Sequence, residues 1–552
     1  MNDQDLSSRQ AKWLFVTCFI ALIATSFAFI IRALIIDDWG VQFGLSATQK
    51  GELFGAGLWP FAISIVLFSL VIDRVGYGKA LAFAFACHTV SAVVTILAPT
   101  VLAGADATPE EIKAGQDAGY WVLYWGNFIA ALGNGTVEAV INPVIATIFW
   151  KQKTKWLNIL HAGWPAGLIV GGLLTLSLGT KGIIGSNFEA GAIDWRWKVA
   201  LLLIPTVVYG VMMLKTKFPV NERVAAGVSY RDMLAEMGAI GAFIASSLIL
   251  IELGRVLGWP SLFELGGYDV NAAWIGIVAI TGVYFAYTRS LGRPMFTFLL
   301  LLMILLATTE LGTDNWIKSL MSPVMNAEFG IDGGWVLIYT ATIMMTLRLF
   351  CGPIVKALNP LGLLMVSTLF AAAGLVFLST AAGLIILLAA TIYGIGQTFF
   401  WPTTLGLVAE RFPKGGALTL NAIAGVGMLG VGILGNPLLG AIQDNHIDST
   451  LAAEKPALHE QVMGEEATSV LGSYRPLDNA KLELLSEEDQ EAVTQVTDEA
   501  KQTALFKVAA LPLIMFVCYL LLLIYFKKQG GYQAEQLPEA HTAASGDSGP
   551  PE

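Results

Sequence analysis

The sequence predicts an all-α membrane protein of about fourteen transmembrane helices, arranged as six, two and six. Three observations predict it. Hydrophobic residues make up 55% and charged residues only 13% of 552, with a mean hydropathy of +0.66; soluble chains carry about twice that charged fraction. Apolar runs near or above the ~20 residues that cross a bilayer as a helix recur along the chain. The first six and last six runs also share an ordered set of motifs, as duplicated halves do.

The expected spans of the first half are 13–36, 51–72, 79–101, 119–149, 157–179 and 197–215. A central pair follows at 235–257 and 271–288; Glu236, Glu252 and Arg255 interrupt or flank its first member. The last six are 295–316, 334–357, 361–381, 383–409, 418–442 and 504–526. The first run is too long for a signal-peptide core and lacks a cleavage site, so it reads as a retained span. Basic residues cluster in alternate short loops: Arg74 and Lys79, Lys151 to Lys155, Lys215 to Arg231, Arg289 and Arg293, Arg411 and Lys414. The inside-positive tendency then puts these loops and both termini in the cytoplasm.

The expected organisation is a six-helix bundle over 1–218, and a cytoplasmic linker with an inserted two-helix hairpin over 219–293. A second six-helix bundle covers 294–528 and carries an acidic extracytoplasmic insertion, 443–502; 529–552 is expected to be a disordered tail. Much of the net charge of −10 sits in that insertion, which argues against nucleic-acid binding. The insertion is expected to be a solvated cap without an apolar core. Ser486 followed by Glu487 and Glu488 signals a helix start there, and that helix can extend the last span outward. Cys18, Cys87, Cys351 and Cys518 all lie in apolar runs and read as small packing residues.

The repeat is an ordered series. Asn142-Pro143 in the fourth span corresponds to Trp401-Pro402-Thr403 in its counterpart. A Gly-x-Gly pair precedes each, Gly133/Gly135 and Gly394/Gly396. A basic turn follows each, and the next helices open with Leu157-Asn158 and Leu420-Asn421.

Chemistry concentrates in Gly133–Pro143. Glu138 lies near mid-membrane depth, where an ionised carboxylate costs several kcal/mol or more unless it faces a cavity or a partner. Asn142 is one turn on along the same face. Pro143 removes a backbone donor, and the glycines admit close helix packing. The bland alternative is a packing seam whose Glu pairs statically with a cation.

Between the second and third spans stands Ser69-Leu70-Val71-Ile72-Asp73-Arg74-Val75-Gly76-Tyr77-Gly78-Lys79. It resembles the signature loop of the major facilitator superfamily; Asp73, Arg74, Gly76 and Lys79 fit, and Ser69 replaces a glycine. Asp73 and Arg74 are candidates for a conformational latch, Asp73 pairing with a basic group or helix N-terminus of the neighbouring bundle. The alternative is topogenic charge alone.

Within that superfamily the stretch around Glu138 and Asn142-Pro143 resembles the fucose–galactose–glucose proton symporter family. So do Leu157-Asn158-Ile159-Leu160-His161-Ala162-Gly163, Glu310 with Trp316 six residues on, and Trp401-Pro402-Thr403. The resemblance implies the major facilitator fold, alternating access, proton-coupled sugar uptake and a place in a bacterial inner membrane. It implies that Glu138 takes part in the coupling and that His161 contributes to the polar cavity. The family's sugar symporters carry an Asp in the first helix. By spacing to Phe43-Gly44-Leu45-Ser46 that site falls near Ala33, and here Arg32 stands beside it, which admits an anionic substrate such as a sugar acid or another organic acid.

The candidate substrate-binding residues are therefore Arg32, Asn142, His161 and Trp164 from the first half, with Glu310, Trp316, Gln397 and Trp401 from the second. Asn142 and Gln397 offer donors and acceptors suited to hydroxyl groups. The tryptophans stack on a sugar ring or pack between helices. The coupling candidates are Glu138 and His161. Making and breaking an Arg32–Glu138 pair would release and take up a proton; a permanent bridge is the alternative. His161 is either a relay or simply hydrogen-bonded in place, and Asp314 and Asn315, near the outer mouth, either line the cavity or are solvated there. Arg348 is the remaining intramembrane cation.

No metal-ligand spacing, phosphate loop or nucleophile motif stands out, so neither an enzyme nor a metal or cofactor is expected. A non-transporting sensor would need the acidic insertion as its receptor domain. The sequence thus predicts a monomeric secondary transporter of a small solute, sugar or polyol first and organic anion second, driven by a proton or by sodium.

Overall fold

The computed structural model describes residues 8–45, 53–104, 106–178, 193–265, 268–330, 333–464, 466–469, 472–475, 477–482 and 484–537. Ser46 and the tail beyond 537, both read above, lie outside the described residues. The chain is helical almost throughout. Two short hairpins pair Ser261–Leu265 with Tyr268–Asn271, and Ala467–Ser469 with Gly472–Tyr474.

Twelve helices among the described residues are long and apolar enough to cross a membrane, or thirteen if the bent pair Ser319–Phe329 and Gly334–Leu349 is one span. The expected fourteen are not reached. The predicted span 271–288 is a 17-residue helix, Ala272–Thr288, capped by the Asn271 side chain and stopped at a left-handed Arg289. The predicted span 334–357 ends at Leu349, and a separate turn, Gly352–Ala357, starts with Pro353 in its first positions. Proline is tolerated at a helix start but not in its interior.

The helices that position the site are α1 (Ser8–Phe43), α2 (Trp59–Val75), α3 (Tyr77–Leu97), α4 (Pro109–Ile148), α5 (Lys153–His161) and α6 (Gly163–Ser177). Next come α7 (Leu203–Met213), α8 (Tyr230–Val256), α9 (Ala272–Thr288) and α10 (Pro294–Ala307). A π-helical segment, Thr308–Gly312, joins α10 to α11 (Thr313–Phe329). The set continues with α12 (Gly334–Leu349), α13 (Pro360–Leu378), α14 (Ile385–Gln397), α15 (Phe400–Arg411) and α16 (Gly416–Gly430). A second π-helical segment, Val431–Gly435, leads into α17 (Asn436–Glu454); α18 (Glu487–Val508) and α19 (Ala510–Lys528) close the chain.

Each Gly-x-Gly pair is a packing notch. A Cβ on Gly133 would strike His88 and Cys87 of α3, and one on Gly135 would strike the Phe61 carbonyl of α2. A Cβ on Gly394 would touch Thr340 of α12, and one on Gly396 would strike the Ala371 backbone of α13. Small residues let backbones approach this closely where lipid supplies no hydrophobic drive between helices. The Leu-Asn repeat has a parallel role. Asn158 Nδ2 donates to Thr403 Oγ1 of α15 at 3.2 Å, and Asn421 Nδ2 donates to the Ala139 carbonyl of α4 at 3.1 Å. Each asparagine thus reaches the proline-containing helix of the other half.

Helix α8 breaks at Gly238, whose φ of 66° favours glycine. Ala239 N donates to Ser290 O, and Arg293 N donates to Glu236 O. Backbone groups freed within a membrane need such internal partners.

Two expectations for the C-terminal region are corrected. The acidic insertion has its own apolar core, in which Ile447, Leu451, Val462, Val493 and Ala500 are buried together. Period-3.6 apolar positions on α17 and α18 build it, and the many intervening acids masked them in composition. Ser486 caps α18 as predicted, accepting from Asp489 N. The tail is placed through Leu537. Tyr532 Oη donates to Glu410 Oε2 at 2.8 Å, Glu535 N donates to Glu410 O, and Glu535 pairs with Arg293 (2.8 Å) and Arg411 (3.0 Å).

Candidate substrate and coupling site

One cavity lies between the two halves of the chain, with about 910 Å³ of atom-free space including any opening to solvent. Pockets of about 300–1,000 Å³ suit small ligands. Six of the sequence candidates line it: Arg32, Glu138, His161, Trp164, Glu310 and Trp401. Asn134, Asp314, Asn315 and Arg348 line it too. Asp314 is therefore a wall residue rather than a solvated mouth residue.

Three candidates do not line it. Asn142 stands behind Glu138. Gln397 is fully buried, and Trp316 lies against Gly440 of α17.

In the first half the polar groups form a chain. Asn142 Nδ2 donates to Glu138 Oε2 at 2.7 Å, and His161 Nε2 lies 2.8 Å from Asn142 Oδ1. With Asn142 in this orientation the imidazole donates. The one-turn spacing of Glu138 and Asn142 on α4 makes their bond, and the end of α5 brings His161 to it. Glu138 is only 4% exposed.

The suggested Arg32–Glu138 pair is absent: among the described residues no cation lies within ion-pair distance of Glu138. Arg32 Nη1 instead donates to Asn127 Oδ1 at 3.1 Å, its Nε lacks a partner, and its guanidinium lies over Phe54. Gly57 makes the space, since a Cβ there would overlap the guanidinium. The rotation of α1 about its axis, invisible in the sequence, sends Arg32 this way.

Arg348 has the buried ion pair. Its Nη2 donates to Glu310 Oε1 at 3.0 Å, its Nε to Thr398 O at 2.6 Å and its Nη1 to His161 O at 3.0 Å. The last bond crosses from α12 to α5, so a single guanidinium ties the Glu310 carboxylate to the histidine of the first half. Arg348 was legible as an intramembrane charge but not as a site residue.

A further histidine, His88, positions a wall residue. Its Nε2 lies 2.9 Å from Asn134 Oδ1 and its Nδ1 lies 3.1 Å from Tyr209 Oη. No spacing in the sequence connects these three.

At one end of the molecule the two halves meet through the repeated turns. Lys153 Nζ donates to Ala409 O at 3.1 Å, and Thr154 Oγ1 donates to Glu410 Oε1 at 2.5 Å. Asp73 pairs with Arg223 in the connector after α7, while Arg74 stacks over Tyr230 at 5.4 Å. The two latch candidates thus have different partners.

The family model described as Major Facilitator Superfamily matches residues 14–437. Comparison with curated proteins matched no relative by sequence. Among solved structures the chain is similar to the proton:xylose symporter XylE bound to 6-bromo-6-deoxy-D-glucose, with TM-score 0.56 and 15% identity over 81% of this chain and 91% of that one. It is similar to the E. coli fucose:proton symporter FucP, with TM-score 0.52 and 13% identity over 92% and 99%. It is also similar to the human organic anion transporter MFSD10 (TETRAN), with TM-score 0.53 and 10% identity over 92% and 99%. At such identities these likenesses show the fold. With a superfamily match over most of its length, the chain is a multi-pass membrane transporter belonging to the Major Facilitator Superfamily.

Proposed function

We propose that this transporter imports a sugar or related polyol together with a proton, by alternating access around the central cavity. The observation that carries the proposal is Glu138: a carboxylate 4% exposed, held by Asn142, with no cation partner among the described residues. An ionised carboxylate left uncompensated costs several kcal/mol in a dry membrane interior. Its charge therefore depends on whether the cavity is open to water, which links proton binding to the conformational cycle.

Asn134 and Asn315 offer hydroxyl-binding groups, and Trp164 and Trp401 offer ring faces. The Lys153–Ala409, Thr154–Glu410 and Asp73–Arg223 contacts close the side we assign to the cytoplasm, with Asp73 as the latch residue and Arg74 as its neighbour on Tyr230. In this reading both termini are cytoplasmic, the two six-helix bundles rock as units in a cell membrane, and α8 and α9 form a peripheral insertion.

Uptake by proteoliposomes of labelled sugars and sugar acids, with and without an inward-acid pH gradient, tests the function. The expected result is gradient-stimulated uptake of a neutral sugar or polyol. Uptake indifferent to the gradient would remove the proton from the mechanism.

Arg32 favours a second reading. A guanidinium with a free Nε in the cavity wall, with no carboxylate at ion-pair distance among the described residues, would anchor an organic anion. Uptake confined to the sugar acids, and lost in Arg32→Gln, would select it.

A further inference from the structure

The wall formed by the second half carries a group of buried polar atoms without a well-formed hydrogen bond. Glu310 Oε2, Thr313 Oγ1, Asp314 Oδ1 and both amide atoms of Gln397 have no hydrogen bond of good geometry, although Tyr393 approaches Thr313 and the Trp401 backbone N–H approaches Glu310. Glu310 is 3% exposed, and Thr313 and Gln397 are fully buried. Buried polar groups are paired in the great majority of cases, so several orphans together call for an occupant.

These atoms converge from two elements. Glu310 lies on the first π-helical segment, and Thr313 and Asp314 open α11 within one further turn. Gln397 ends α14 and approaches Asp314 without a well-formed hydrogen bond. The π-helical turn also shifts carbonyls out of the regular α-helical ladder, a feature frequent at functional sites.

Charge and ligand type define the occupant. Glu310 and Asp314 bring two carboxylates and Arg348 one guanidinium. Arg348 is already committed to Glu310 Oε1 and to the Thr398 and His161 carbonyls. Ionised, the group has one uncompensated negative charge. Its free acceptors are carboxylate, hydroxyl and amide oxygens, the ligands of a hard cation. That single net charge is balanced by a monovalent cation rather than a divalent one.

We infer that Glu310, Thr313, Asp314 and Gln397 form a binding site for a hard monovalent cation, with sodium as the probe. The site belongs to the second half and is separate from Glu138, so the transporter has a second place where an ion can enter its cycle.

Equilibrium binding of radioactive sodium to the purified transporter in nanodiscs tests this. The assay reads neither solute flux nor proton movement, so it can fail while the proposed function stands, or succeed while that function falls. The expected result is saturable binding, displaced by unlabelled sodium and not by choline. Asp314→Asn and Thr313→Val should each weaken it about 10-fold or more. The isosteric Gln397→Glu, which adds charge, should retain or tighten it. Each variant is compared only as a monodisperse preparation, and the three independent positions protect against one that fails to fold. Absence of saturable sodium binding to the wild-type protein overturns the site, as does binding that none of the three variants alters.

Discussion

Arg348 illustrates what a single buried residue does here. It is 2% exposed and neutralises a carboxylate that is itself 3% exposed. Removing one partner of a buried pair leaves the other charge uncompensated and costs about 3–5 kcal/mol, whereas removing both charges is far cheaper. Arg348→Gln should therefore lower the melting temperature of the detergent-solubilised protein markedly, and the double variant Arg348→Gln, Glu310→Gln should recover most of the loss. A single variant that melts with the wild type would mean the pair contributes nothing net. The polar residues were legible because each stands out in an apolar run: Arg32, Glu138, His161 and Glu310 all reach the cavity. Their pairing was not. Whether Glu138 meets Arg32, or Glu310 meets Arg348, depends on helix rotation and depth, and no local spacing encodes either for residues this far apart in sequence.

At the scale of elements, the repeat was the most legible feature, because close helix approach imposes small residues at fixed positions. Both glycine pairs are notches against the neighbouring helices, and both Leu-Asn starts send an asparagine across to the other half. A side chain at Gly396 would run into the Ala371 backbone, which cannot move as a flexible side chain would. Overpacking costs about 1–3 kcal/mol or more, so Gly396→Val should reduce the yield of monodisperse protein, while Gly432→Ala, whose Cβ meets nothing within 4 Å, should leave it unchanged. Equal losses in both would contradict the notch. Element ends were less legible. Pro353 divides a stretch whose hydropathy reads as one span. The core of the insertion was hidden by its acidic surface. Tail docking depends on Arg293 and Arg411 converging on Glu535 from distant helices, and composition carries no trace of it.

For the whole molecule, the sequence was enough for a two-half helical transporter, since apolar length, motif order and the loop around Asp73 all pointed the same way. Solute and driving ion are set by side-chain geometry inside the cavity, where two acidic centres now stand apart: Glu138 with Asn142 and His161, and Glu310 with Asp314 and Arg348. The central claim is that Glu138 carries the coupling proton. The most direct measurement is the pH of a weakly buffered suspension of energy-depleted vesicles containing the transporter, recorded as the transported solute is added. The account predicts transient alkalinisation outside with the wild-type protein. It predicts none with Glu138→Gln, which should still exchange labelled for unlabelled solute. Alkalinisation of equal size in the variant would contradict the claim and place the coupling proton elsewhere.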